Sequence, residues 1–288
     1  MNKNFIKNNA FLWALAALLT LSLAIYQRMT GPTYALKGKT VLQLPAGEQT
    51  VRYKFDRSHS GNDNHSVQLK VPDNSWQGTL EWKRFKTSDA WTAVAMTFAN
   101  GELQGFLPGQ PPAGKLQYRI KLEALQTGAT ISAVLPDEKG IVIRFKGKVP
   151  PFILVPHVIA MFAAMLLATR TGIQALVKPT ELKKLAYWTV GLFSFGGMFL
   201  GPVVQLYAFG ALWTGWPYGT DLTDNKTLIA WIVWLLALAM LHLARKPARW
   251  VLAAVFVMWG VYLIPHSMFG SELDYNKLDQ QKVMTTSG

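Results

Sequence analysis

Residues 140–169 read GIVIRFKGKVPPFILVPHVIAMFAAMLLAT, and within them one kind of structure gives way to another. Ile143 and Phe145 alternate with Arg144 and Lys146, the period-two pattern of a strand with one buried face. From Phe152 to Thr169 there is no Asp, Glu, Lys or Arg, and the run is long enough for a membrane-crossing helix. Only Gly147, Lys148, Val149 and two consecutive prolines separate the two patterns, and paired prolines are stiff and extended. A β-region therefore feeds straight into a membrane helix, and the chain reads as an α+β membrane protein.

Downstream, residues 185–207, 228–244 and 250–264 form three more uncharged apolar runs, the last of them short. Upstream, Lys3 and Lys7 precede an apolar run at 10–26 that resembles the start of a signal peptide. No small-x-small cleavage site follows, because the run leaves through Ile25, Tyr26, Gln27 and Arg28; the expectation is an uncleaved signal anchor. Five transmembrane helices result. The expected domains are an anchor at 1–30, an external β-domain at 31–150, a four-helix bundle at 151–270 and an external tail at 271–288.

Between 34 and 148 short alternating segments are punctuated by Gly, Pro, Asn and Asp. Strands are expected at 40–44, 50–56, 66–71, 78–86, 91–98, 102–107, 115–123, 129–135 and 140–146, a spacing that argues for an all-β sandwich with Trp82, Trp91 and Tyr118 in its core. The stretch GELQGFLPGQPPAGKLQYRIKLEA resembles one edge of an immunoglobulin or fibronectin type III-like domain, in which a Pro/Gly turn leads into a strand carrying a tyrosine, here Tyr118. That resemblance implies a binding or scaffolding domain more readily than a catalytic one.

The net charge of +13 points first to nucleic acid, but much of the excess lies in short loops between apolar runs, so nucleic-acid binding is not expected. Lys3, Lys7, Arg170, Lys178, Lys183, Lys184, Arg245, Lys246 and Arg249 all fall on one side if the N-terminus is cytoplasmic, while Asp221, Asp224, Glu272, Asp274 and Asp279 fall on the other. This positive-inside pattern puts the β-domain and the C-terminus outside. With no cysteine, disulfides, cysteine-ligated metals and covalent haem attachment are excluded.

Three separate segments send ionisable groups to the outer face: His157 from the second apolar run, Asp221 and Asp224 from the loop after the third, and His266 and Glu272 after the fifth. As metal ligands they would suit zinc, manganese or iron, and His157 and His266 would suit a single haem b. The alternative is ordinary: Asp221 or Asp224 caps a helix, Trp213, Trp216 and Tyr218 form an interfacial belt, and Glu272 and Asp274 are solvated tail charges. Gly197 and Gly201 have small-x-x-x-small spacing, which allows close helix approach. No nucleophile elbow, P-loop, His-Glu-x-x-His or dinucleotide motif occurs, and nothing positively indicates an enzyme. The leading expectation is a non-catalytic component of a larger membrane complex whose sandwich docks an external protein partner. A redox or metal-handling membrane subunit comes next. A small transporter is third, since no inverted repeat is visible and no apolar run carries a carboxylate.

Overall fold

The structure is a computed structural model and describes residues 8–45, 47–126, 129–179, 181–265, 268 and 270–286, less the side chains of 125, 126, 129 and 282–286. It forms two compact units, Met1–Pro32 with Val149–Ser271, and Thr33–Lys148 with Glu272–Gly288. The first is helical and the second mainly β.

Six helices are described: α1 (Asn9–Thr30), α2 (Pro151–Val177), α3 (Lys183–Phe209), α4 (Leu222–Leu243), α5 (Pro247–Leu263) and α6 (Tyr275–Thr286). The first four are long and apolar enough to cross a membrane, whereas α5 has 17 residues. At 1.5 Å per residue α5 is about 25 Å long, against about 30 Å of hydrocarbon. The outward surfaces of these helices are apolar: Ile159 is 63% exposed and Phe256 66%. Water would oppose so much exposed apolar surface, while lipid accepts it.

Inside the helical unit α2 packs against α1, α3 and α5, and α4 packs against α5 and α3. The contact surfaces are made by small residues, Ala164, Ala168, Ala186, Ala230, Ala237 and Ala254, all buried, around Trp234 and Met258. Small side chains let helix backbones approach, which is how apolar helices gain packing energy in a lipid solvent. The tightest approaches of α3 differ from the expected Gly197 and Gly201 pair. A Cβ on Gly196 would lie 2.9 Å from that of Ala160, and one on Gly197 would lie 3.1 Å from Thr227, but Gly201 has room. The reason is a π-helical turn, Ser194–Leu200, which rotates the glycines away from the spacing of a regular helix.

Helix α2 also runs further than its apolar stretch and takes Arg170 into the helix instead of leaving it in a loop. The buried guanidinium donates to Gln174 Oε1 at 2.7 Å and Asn9 Oδ1 at 2.9 Å, and lies over the Trp13 ring. Arginine tolerates such a place because its planar fork finds several acceptors at once.

In the β unit the strands are β1 (Leu36–Leu44), β2 (Gly47–Phe55), β3 (Ser58–Ser60), β4 (His65–Lys70), β5 (Trp76–Arg84), β6 (Thr92–Ala95), β7 (Thr97–Ala99), β8 (Glu102–Leu107), β9 (Lys115–Gln126), β10 (Ala129–Leu135) and β11 (Ile141–Lys146). One sheet has the order β3-β11-β9-β5-β6, with β10 also on β9. A second has the order β4-β8-β7, and β1 and β2 form a hairpin. The pairings are antiparallel except β3 on β11. One apolar core lies between the sheets, built from Trp76, Leu80, Leu103, Leu107, Leu116, Tyr118, Ile120, Leu122, Ile143 and Phe145. The sheets touch closely at Gly105, where a Cβ would lie 3.1 Å from Leu80.

Of the three aromatics expected in this core, only Tyr118 is fully buried. Trp82 packs partly buried against it, and Trp91 lies under the Arg119 guanidinium, 4.4 Å from the ring centroid. The core tryptophan is Trp76, 1% exposed, because β5 begins earlier than its alternating pattern suggests. Emptying such a site costs about 3–5 kcal/mol. The expected strand at 91–98 is two strands, β6 and β7, which belong to different sheets, with Met96 buried between them.

Candidate functional site

Helix α4 starts at Leu222, ahead of its apolar run, so Asp224 and Lys226 lie inside the helix and are buried. Asp221 is the N-cap: its Oδ1 accepts from the Thr223 backbone N–H at 2.7 Å. Its Oδ2 accepts from both the backbone N–H and the hydroxyl of Ser271, at 2.6 and 2.7 Å. One carboxylate thus caps α4 and ties down the chain beyond α5.

Asp224, one turn in, organises the loop between α3 and α4. Its Oδ2 accepts from the backbone N–H groups of Thr214 (2.7 Å) and Gly215 (3.1 Å), from Gln205 Nε2 (2.8 Å) and from the Thr214 hydroxyl (3.3 Å). The Thr214 hydroxyl meets that of Ser271 at 3.1 Å, and Asn225 Oδ1 accepts from the Trp216 N–H. Lys226 Nζ donates to the carbonyl of Ile264, just past the end of α5, where a cation favours the negative end of the helix dipole. Thr214, Lys226 and Ser271 carry no motif, and only a polar residue beside an apolar run signals them.

Four of the five expected ligands lie among the described residues. Asp221 and Asp224 come together around Thr214 and Ser271, held by the donors just described. His157 donates from Nδ1 to the Gly196 carbonyl at 2.9 Å, an oxygen in the π-turn that also accepts from the Gly201 N–H. The wide turn leaves that carbonyl reachable from α2. Glu272 belongs to the β unit and pairs with Lys86 at 2.9 Å and Lys115 at 2.5 Å. His266 lies outside the described residues. Among the described residues no group of three or more His, Asp or Glu is placed to hold a metal ion.

In the β unit the C-terminal segment is a built contact rather than a solvated tail. Asp274 caps α6 by accepting from the Asn276 N–H. Tyr275 is buried, accepts from the Lys115 N–H at 3.0 Å and donates to Gln110 Oε1 at 2.9 Å. Burial pushes its hydroxyl up to about 12, so it stays protonated as a donor. Arg84 lies over the Tyr275 ring and bridges Asp89 and Asp279.

A cleft of the β unit lies elsewhere. It has a volume of about 510 Å³ and is lined by Lys37, Arg52, Lys54 and Lys70, by Asp56 and Glu102, the latter paired with Lys70 at 3.7 Å, and by the rings of Tyr53, Phe55 and Tyr118. Strands β2 and β4 run side by side across it without a ladder between them: β2 pairs only with β1 and β4 only with β8. Tyr53 lies over Gly38 and stacks on Phe55 at 4.9 Å, so no larger residue fits at 38 without displacing the ring. At the near end of β4 the buried His65 meets His59, Nδ1 to Nδ1, at 3.2 Å.

The chain matches no family model, no curated protein and no solved structure.

Proposed function

We propose that the chain is an integral membrane component of a larger complex, whose β unit docks a protein partner outside the membrane. The observation that carries this reading is the basic cleft between β2 and β4. Two strands that no ladder joins face a groove with aromatic walls, in which four cations outnumber the two carboxylates Asp56 and Glu102. An extended segment can add to such an edge through main-chain hydrogen bonds, and the lysines and arginine select an acidic one. The sandwich already holds one acidic, tyrosine-bearing segment at another place, its own residues 272–279, through Lys86, Lys115 and Arg84.

In this reading α5 is a fifth, short span and the N-terminus is cytoplasmic, with the sandwich and the C-terminus on the opposite side, as the distribution of Lys and Arg favours. The sandwich is of the immunoglobulin kind. In support, β4-β8-β7 and β11-β9-β5-β6 follow the B-E-D and G-F-C-C′ strand orders of such domains.

The test is a photo-crosslinking residue at Gln68, in the cleft, or at Gln77, the exposed residue of β5, in the full chain in its native membrane. The expected result is a discrete protein adduct from Gln68 alone, lost in the Arg52→Glu/Lys54→Glu variant while its melting temperature is unchanged. Equal labelling from both positions, unaffected by charge reversal, would overturn the docking reading.

A further inference from the structure

The helical unit has a cavity of its own that the docking reading does not use. At the start of α3 and the turn between α4 and α5 lies a pocket of about 530 Å³. Four cations line it, Lys183, Arg245, Lys246 and Arg249, and among the described residues no Asp or Glu does. None of the four forms an ion pair among the described residues; Lys183 contacts His242, at 3.4 Å. All four are exposed, so water screens their mutual repulsion, which grows where lipid excludes water and which an anion relieves.

Two further features set the depth and polarity of the pocket. Helix α5 begins here, with Lys246 at its N-cap and no side chain capping it, so the partial positive charge of its first turn adds to the four cations. Tyr187, Trp188 and Trp250, all exposed, sit on the same helix ends. Exposed aromatic rings of this kind lie at the headgroup level of a bilayer. Leu182 and Leu241, both buried, give the pocket an apolar wall.

We infer that this pocket holds the phosphate-bearing headgroup of an anionic phospholipid, with the guanidinium groups of Arg245 and Arg249 on the phosphate and Leu182 and Leu241 against the start of the acyl chains. Basic pockets between membrane helices take acidic headgroups in this way, and arginine forks match phosphate oxygens two at a time. Cations that serve only to orient a chain in the membrane need to lie in the connecting loops; they have no need of a shared cavity. Lys178 and Lys184 fit that simpler role, since neither lines the pocket.

The inference is tested by native mass spectrometry of the full chain released from mixed bilayers of phosphatidylglycerol and phosphatidylcholine. One phosphatidylglycerol per chain is expected to be retained. Its retention should fall roughly tenfold or more in Arg245→Gln/Arg249→Gln, recover only in part in Arg245→Lys/Arg249→Lys, which keeps the charge without the fork, and stay unchanged in Lys178→Gln/Lys184→Gln. Equal retention of the two lipids, or an equal loss in both glutamine pairs, would overturn the site in favour of diffuse attraction to the membrane surface. Inorganic phosphate held as tightly as phosphatidylglycerol would overturn the lipid assignment. Membrane insertion of each variant, read from its yield in the membrane fraction, separates a lost site from a lost fold.

Discussion

The Tyr275 hydroxyl accepts a hydrogen bond from the backbone N–H of Lys115 at 3.0 Å, across a separation of 160 residues. It stands at the edge of β9, where an N–H without a partner would carry the cost of a lost hydrogen bond. The same hydroxyl donates to Gln110, so a single side chain closes the turn before β9 and fixes the C-terminal helix to the sheet.

Replacing Tyr275 by Phe keeps the ring and removes both hydrogen bonds. The expected cost is about 1–2 kcal/mol, because the half-buried Lys115 N–H loses its partner. Hydrogen exchange of the full chain should show faster exchange at Lys115 and along α6, with β4 and β8 unaffected. Unchanged protection at Lys115 would mean that water replaces the hydroxyl without loss.

Acid should loosen the β unit in two separable stages. Burial and the neighbouring His59 hold His65 below its ordinary 6.5, so the unfolded chain binds the proton more readily than the folded one. That stability is complete above pH 6.5 and is lost as pH falls through the lowered value; His65→Gln should remove this stage. Asp89 is held below 3.8 by the hydrogen bonds of Arg84. Glu272 is pushed up by burial but held below 4.5 overall by Lys115 and Lys86. Their contribution is present above these ordinary values and disappears as pH falls through the lowered ones. Melting temperatures of wild type and His65→Gln, followed from about pH 7.5 down to about pH 2.5, should differ only in the first stage.

Asp224→Asn retains an oxygen that can accept from Thr214, Gly215 and Gln205, whereas Asp224→Ala leaves these donors unpaired. The alanine variant should lose about 2–4 kcal/mol and the asparagine variant about 1 kcal/mol or less, read as thermal stability of the detergent-solubilised chain. If asparagine proves as damaging as alanine, the charge of Asp224 is required and its role is more than organising the loop.

By itself the sequence determined where the chain is apolar for long enough to cross a membrane and where it alternates as a strand. Both are local properties: hydrophobic length and period are set by neighbours along the chain and by the solvent each face meets. Residues 152–169 and 115–123 could be read from those neighbours alone, and α2 and β9 contain them. The tertiary structure decided which polar groups meet. Asp221 and Ser271 are 50 residues apart and Tyr275 and Lys115 are 160 apart, and no spacing rule joins them. His157 finds the Gly196 carbonyl only because a π-turn opens in α3, Asp221 and Asp224 meet around Thr214 and Ser271, and Glu272 meets Lys86 and Lys115. A buried polar group binds whichever partner the packing brings within about 3 Å, and that choice belongs to the assembled fold.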